Sequence, residues 1–151
     1  MSSPKFDYFN KIQTPPYQAA SVGILVLVIA GILKLLTITH AMESPDPILF
    51  WVISGAGVLF FALMNSVVSL GATDMNKYWF YSTASYVVLA VSCALMAFIF
   101  SGISIDDAGS FRWIFTVLTF GYLLFLSLMR FLRKIVQVAQ DEDKKWEERV
   151  K

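Results

Sequence analysis

Charge is scarce in this chain. Only 15% of its 151 residues are Asp, Glu, Lys or Arg, where a soluble domain carries about a quarter. The formal net charge is +1. Together these exclude a soluble globular enzyme and a nucleic-acid binder working through a basic surface. Cysteine is almost missing too. Cys93 is the only one, so an intrachain disulfide, a thiol-pair redox centre and a cysteine-rich zinc site are all excluded. Histidine is equally rare: His40 stands alone, and a haem held by two histidines of one subunit is impossible. Beside Glu43 and Asp46 it reads as an interfacial loop residue rather than a metal ligand or pH sensor. The five prolines, Pro4, Pro15, Pro16, Pro45 and Pro47, lie outside the long apolar runs or at their edges. A helix tolerates them there, because proline lacks an amide donor and clashes one turn back. The sequence carries no phosphate-binding glycine loop, zinc spacing, nucleophile elbow, nucleotide fingerprint or internal repeat. The expectation is a non-enzyme without a cofactor.

What the chain has in abundance is apolar surface. Hydrophobic residues make up 57%, and the mean hydropathy of +0.64 is far from that of a disordered chain. A membrane-crossing helix needs roughly 20 mostly apolar residues. Four stretches meet that demand, at residues 18–40, 47–71, 78–103 and 110–136. Lys34 interrupts the first, and Arg112 and Arg130 bracket the apolar centre of the fourth. Arginine stems snorkel to the interface, so the brackets still permit a crossing. The runs are too long for barrel strands and do not alternate strictly. The predicted fold is an all-α integral membrane protein, a four-helix antiparallel transmembrane bundle over residues 18–136. Residues 1–17 precede it as a cytoplasmic segment, and residues 137–151 follow as a charged, helical cytoplasmic extension. The first span reads as a retained anchor, because a polar lead precedes it and no small-residue cleavage site follows closely.

Four crossings place both ends on one side. Of the 12 Lys and Arg residues, only Lys34 and Arg112 fall on the opposite side. The two opposite loops are acidic, with Glu43 and Asp46 in one and Asp106 and Asp107 in the other. The positive-inside rule then puts both termini in the cytoplasm, with a bacterial inner membrane as the expected location. Tyr17, Tyr78, Trp79 and Tyr81 are expected at the inner boundary, and Trp51 and Trp113 at the outer one.

Small and weakly polar residues usually mark helix contacts in lipid. At 100° per residue, Ala19, Gly23, Ala30, Lys34 and Thr37 share an arc of the first span. Gly55, Ala62, Ser66 and Ser69 do so in the second, with Asn65 at the edge. In the third, Tyr86, Ala90, Cys93, Ala97 and Ser101 oppose a lipid face of Val87, Val91, Leu95 and Phe98. In the fourth, Thr116, Leu123, Ser127 and Lys134 align.

Three polar residues inside the membrane are the candidate site residues: Lys34, Asn65 and Tyr86. Lys34 is expected to snorkel or to meet an acid such as Glu43. Asn65 is expected to bond across helices, and the hydroxyls of Tyr86 and Tyr122 need partners. Tyr78, Trp79 and Trp146 are candidate partner contacts. Asp74, with Asn76 as alternative, is expected to cap the third helix, and Asp46 or Ser44 the second. In the tail, Asp141–Lys145, Lys144–Glu148 and Glu147–Lys151 stand four residues apart and favour helix. The expected function is a non-catalytic accessory or scaffolding subunit of a larger membrane assembly. The alternative is a small homo-oligomeric channel or transporter for a polar or ionic solute, using Lys34 and Asn65. A lipid enzyme built on Asp106, Asp107 and Arg112 ranks third. The expected partners are membrane lipids and other membrane subunits or further copies of the chain, and no nucleic acid.

Overall fold

A computed structural model describes residues 14–39, 43, 45–69 and 75–150 of the chain. His40, Ser44 and Asp74 lie outside the described residues, as do the side chains of Asn76, Lys144, Glu147 and Glu148. The architecture is four long apolar helices packed as a bundle: α1 (Pro15–Ile38), α2 (Ile48–Ser69), α3 (Met75–Ser101) and α4 (Phe111–Val150). All four are long and apolar enough to cross a membrane, so the protein is an integral membrane protein in contact with lipid.

Each helix end has a local cause. Pro15 and Pro16 occupy the first turn of α1, where their missing amide protons would have had no helical partner. Asp46 Oδ1 accepts the Ile48 N–H at 2.9 Å across Pro47, so the expected cap of α2 is present. The helix α3 ends at Gly102, whose φ of 72° is the left-handed geometry that glycine adopts without a Cβ clash. The Gly102 N–H returns to Phe98 O at 2.9 Å. The 40-residue α4 is continuous. At 1.5 Å per residue it is roughly 60 Å long, about twice the thickness of the hydrocarbon core. The charged tail expected from residue 137 is helical through Val150.

Helices α2 and α3 form the middle of the bundle. Helix α1 packs on both, α4 packs mainly on α2, and α1 and α4 do not meet. Gln18 at the start of α1 bonds Asn65 near the end of α2, so these neighbours run antiparallel. Lys34 at the end of α1 reaches Phe100 at the end of α3, so that pair runs parallel. Trp51 of α2 likewise meets Phe111 and Phe115 of α4. The backbones of α3 and α4 meet only over a short stretch, and aromatic side chains pack between them. The rings of Tyr86 and Tyr122 stack there at 4.3 Å.

The buried faces match the expectation on α2 and α3. Gly55, Ala62, Asn65, Ser66 and Ser69 are all buried. So are Tyr86, Cys93 and Ala97, while Val87, Val91, Leu95 and Phe98 are exposed. On α1 the arc is shorter than expected. Ala19, Val22, Val26 and Ala30 are buried, but Lys34 is exposed. On α4 the expected seam is displaced. Thr116, Ser127 and Lys134 are exposed, and Tyr122 and Leu126 are buried instead. The Thr116 hydroxyl bonds its own helix at Arg112 O, so nothing draws it toward a neighbour. Trp51 is a second correction. It is 1% exposed, packed with Ala97 of α3 and Ala108 of the 102–110 loop, rather than lying at the lipid boundary. Trp113 is exposed as expected.

Helices α1 and α2 approach closely at Gly57. A Cβ added at Gly57 would run into Val26 Cγ2 and sit 3.7 Å from Val22 Cγ1. Gly57→Ala is expected to lower stability by about 1–3 kcal/mol through overpacking. Gly121→Ala, with nothing within 4 Å of the new atom, should be neutral or slightly stabilising. Thermal unfolding of both variants in the same detergent checks the contrast.

Candidate functional site

Asn65 is the residue on which the four helices converge. It is fully buried, and every helix places a polar group near it. Its Nδ2 donates to Gln18 Oε1 of α1 at 3.1 Å. Its Oδ1 accepts from Ser82 Oγ of α3 and from Tyr122 OH of α4 at 3.0 Å. The Ser82 and Tyr122 hydroxyls are themselves 2.7 Å apart. Tyr78 OH of α3 donates to the Asn65 backbone carbonyl at 3.2 Å. One turn deeper, Tyr86 OH and Thr119 Oγ1 pair at 3.2 Å.

Two phenol and serine protons serve one amide oxygen in this ring. If Ser82 donates to Asn65 Oδ1, Tyr122 donates either to the same oxygen or to Ser82 Oγ, and each hydroxyl proton has an acceptor. An amide suits the position because it accepts and donates at once. In a low-dielectric interior such a network is stabilising only when its members are satisfied. Here they are, and Ser66 and Ser69 below it bond the carbonyls of Ala62 and Ser66 in their own helix.

The sequence brings Tyr78, Ser82 and Tyr86 to this junction by spacing. They stand four residues apart and so share one face of α3. Asn65 and Tyr86 are joined to it as expected. Gln18, Ser82 and Thr119 are the members that the sequence reading missed; the Tyr78–Ser82–Tyr86 spacing is a signal for Ser82, and no local pattern marks Gln18 or Thr119. Trp79 packs against the core beside the junction. Trp146 is remote from it and exposed on the α4 extension.

Lys34 is elsewhere. Its Nζ donates to Phe100 O at 3.0 Å and lies 5.9 Å from the centre of the Phe50 ring. It therefore joins the C-terminal end of α3, where the unpaired carbonyls carry partial negative charge. Among the described residues its partner is a backbone carbonyl, not Glu43. Between Lys34 and Asn65 the bundle is filled by Val58, Phe61 and Cys93, all fully buried. Polar groups at the two ends are thus separated by an apolar layer.

Two buried polar atoms have no hydrogen-bond partner among the described residues, Trp51 Nε1 and Thr83 Oγ1. In the 102–110 loop, Asp106 pairs with Arg112 at 2.9 Å with both side chains largely exposed. Asp107 accepts from Ser104 Oγ at 2.7 Å. These acids are engaged in shaping a turn. No cluster of three or more metal-ligating side chains occurs among the described residues.

Comparison with protein-family models, curated proteins and solved structures finds no match.

Proposed function

We propose that this chain is a non-catalytic accessory or scaffolding subunit of a larger membrane assembly. Its termini lie in the cytoplasm, and the membrane is a bacterial inner membrane. The orientation rests on the distribution of Lys and Arg. The observation that carries the functional reading is where polarity is spent. The polar side chains at the junction bond one another, while the two flanking helices turn long faces outward. On α4 that outward face includes Thr116, Gly121 and Ser127 among apolar residues. Small residues of this kind permit close approach of another helix. The α4 extension adds an exposed Trp146 beyond the lipid, an aromatic anchor of the sort enriched at interfaces.

A channel would instead need its polar residues along one path. Lys34 and Asn65 sit at opposite ends of the bundle with the apolar layer between them, which supports the accessory reading. Lys34→Met should accordingly leave ion flux in vesicles at the protein-free background, as the unaltered chain does. Affinity purification from native membranes in mild detergent tests the proposal. A photo-crosslinker at Ser127 or Trp146 should capture a different integral membrane protein in stoichiometric yield. Recovery of the chain alone, or only with copies of itself, overturns it.

A further inference from the structure

A groove of about 530 Å³ runs between α1 and α3 on the outside of the bundle. It exists because its floor is made of small residues, Gly23 of α1 and Ser85 of α3. Its rims, Ile24 and Val88, are exposed, so it opens toward lipid. It begins at Pro16 and Tyr81 and ends near Leu27 and Met96. At 1.5 Å per residue these limits span roughly 17 Å along α1 and 22 Å along α3. One leaflet of the hydrocarbon core is about 15 Å deep. Beyond Leu27 the groove is closed. Ala30 is buried and Lys34 ties α1 to the Phe100 carbonyl of α3.

A partner helix would need a path through the whole core, about twice as deep. The groove stops short of the full core, and its length on α1 is close to one leaflet, which is the reach of an acyl chain. Among the described residues, a cation stands at the end where the groove begins. Lys77 precedes Tyr81 by four residues on α3 and is exposed, so it continues the groove-lining face into the headgroup layer. It sits in the first turn of α3, where the helix dipole also favours an anion. The other cationic cluster, Arg130 to Lys134, belongs to α4 on the opposite flank of the bundle, and α1 and α4 do not meet.

We infer that the α1–α3 groove is a binding site for an anionic phospholipid. One acyl chain lies along Gly23 and Ser85, and the phosphate lies at Lys77 and Tyr81. The ligand comes from the leaflet in which α1 and α3 begin.

The test uses the full chain in nanodiscs of phosphatidylcholine and phosphatidylglycerol at a ratio of about 4:1, with native mass spectrometry of the lipid retained on release. Retained lipid should be enriched in phosphatidylglycerol about fivefold over the disc, the ratio that corresponds to the about 1 kcal/mol of one lysine near an anionic surface. Lys77→Gln should abolish the enrichment while leaving a lipid bound. Ala84→Phe, which fills the groove, should remove the retained lipid. Retention without anionic enrichment in the unaltered chain overturns the inference, as does full retention by Ala84→Phe. A second measurement does not depend on variants. A phospholipid bearing a diazirine in its acyl chain should label groove residues in preference to the exposed Val52 and Leu59 of α2. Equal labelling of both surfaces overturns the proposal.

Discussion

Asn65→Ala is expected to destabilise the bundle by about 2–4 kcal/mol, the largest effect of any single polar substitution in the chain. The side chain makes three interhelical hydrogen bonds, to Gln18, Ser82 and Tyr122. Within membranes each such bond contributes roughly 0.6–1.7 kcal/mol. Truncation also leaves buried partners unsatisfied, which costs more than the bond alone. The effect should divide predictably. Tyr122→Phe keeps the ring stacked on Tyr86 and loses only the hydroxyl, so about 1 kcal/mol is expected. Because Ser82 and Tyr122 share one acceptor, Asn65→Ala and Tyr122→Phe should be non-additive when combined. Reversible unfolding in mixed micelles, across the two single variants and the double variant, checks both the size and the coupling. Additive losses would show that the junction is not one network.

Trp51→Ala is expected to cost about 3 kcal/mol, and Trp51→Phe about 1 kcal/mol or less. A tryptophan truncated in a soluble core loses about 3–5 kcal/mol, part of it from transfer out of water. In lipid that part largely vanishes, because the unfolded helix keeps its side chain in an apolar medium, and the cavity and lost packing remain. Trp51 packs against Phe115 edge to face at 6.3 Å and holds Ala108 of the 102–110 loop in place. Phenylalanine fills most of that volume. It also removes the indole N–H, which has no hydrogen-bond partner among the described residues, so no bond is lost. The same micelle unfolding measures stability. Protease cleavage in the 102–110 loop should rise for the alanine variant and stay unchanged for the phenylalanine variant.

The four helices were legible because lipid leaves the backbone little choice: a run of about 20 apolar residues without charge forms a helix. Their limits fell within a few residues of the observed ones, and α4 continues as helix through the tail, as its charge pairs four residues apart had indicated. The α3 contact face was legible as well, since Tyr86, Cys93 and Ala97 recur at helical spacing. The α4 face was not. The expectation that small residues mark contacts assumes that backbones approach closely, as α1 and α2 do at Gly57. Helix α4 instead turns its large side chains Phe115, Leu118, Tyr122 and Leu126 toward the bundle, so its small residues were left outside. Trp51 misled for a related reason. An aromatic near a span end resembles a lipid-boundary anchor, and only the fold of the 102–110 loop, through Ala108, reveals that the position is covered. Asn65 was identified from its depth in an apolar run, but its partners come from three other helices, and no local pattern reports such distant pairing. Lys34 shows the same limit. A basic residue near acidic loops suggests an acid as its partner, whereas the parallel packing of α1 and α3 offers it a helix-end carbonyl.

Four crossings of the membrane return the two ends of the chain to one compartment. Thiol labelling tests it most directly, because Cys93 is the only native thiol and is fully buried. Ser3→Cys, Asp107→Cys and Gln140→Cys are each introduced into a Cys93→Ala chain, and right-side-out vesicles are treated with a membrane-impermeant maleimide. Position 107 should be labelled at once, and positions 3 and 140 only after the membrane is opened. Labelling of positions 3 and 140 from opposite sides would contradict the account.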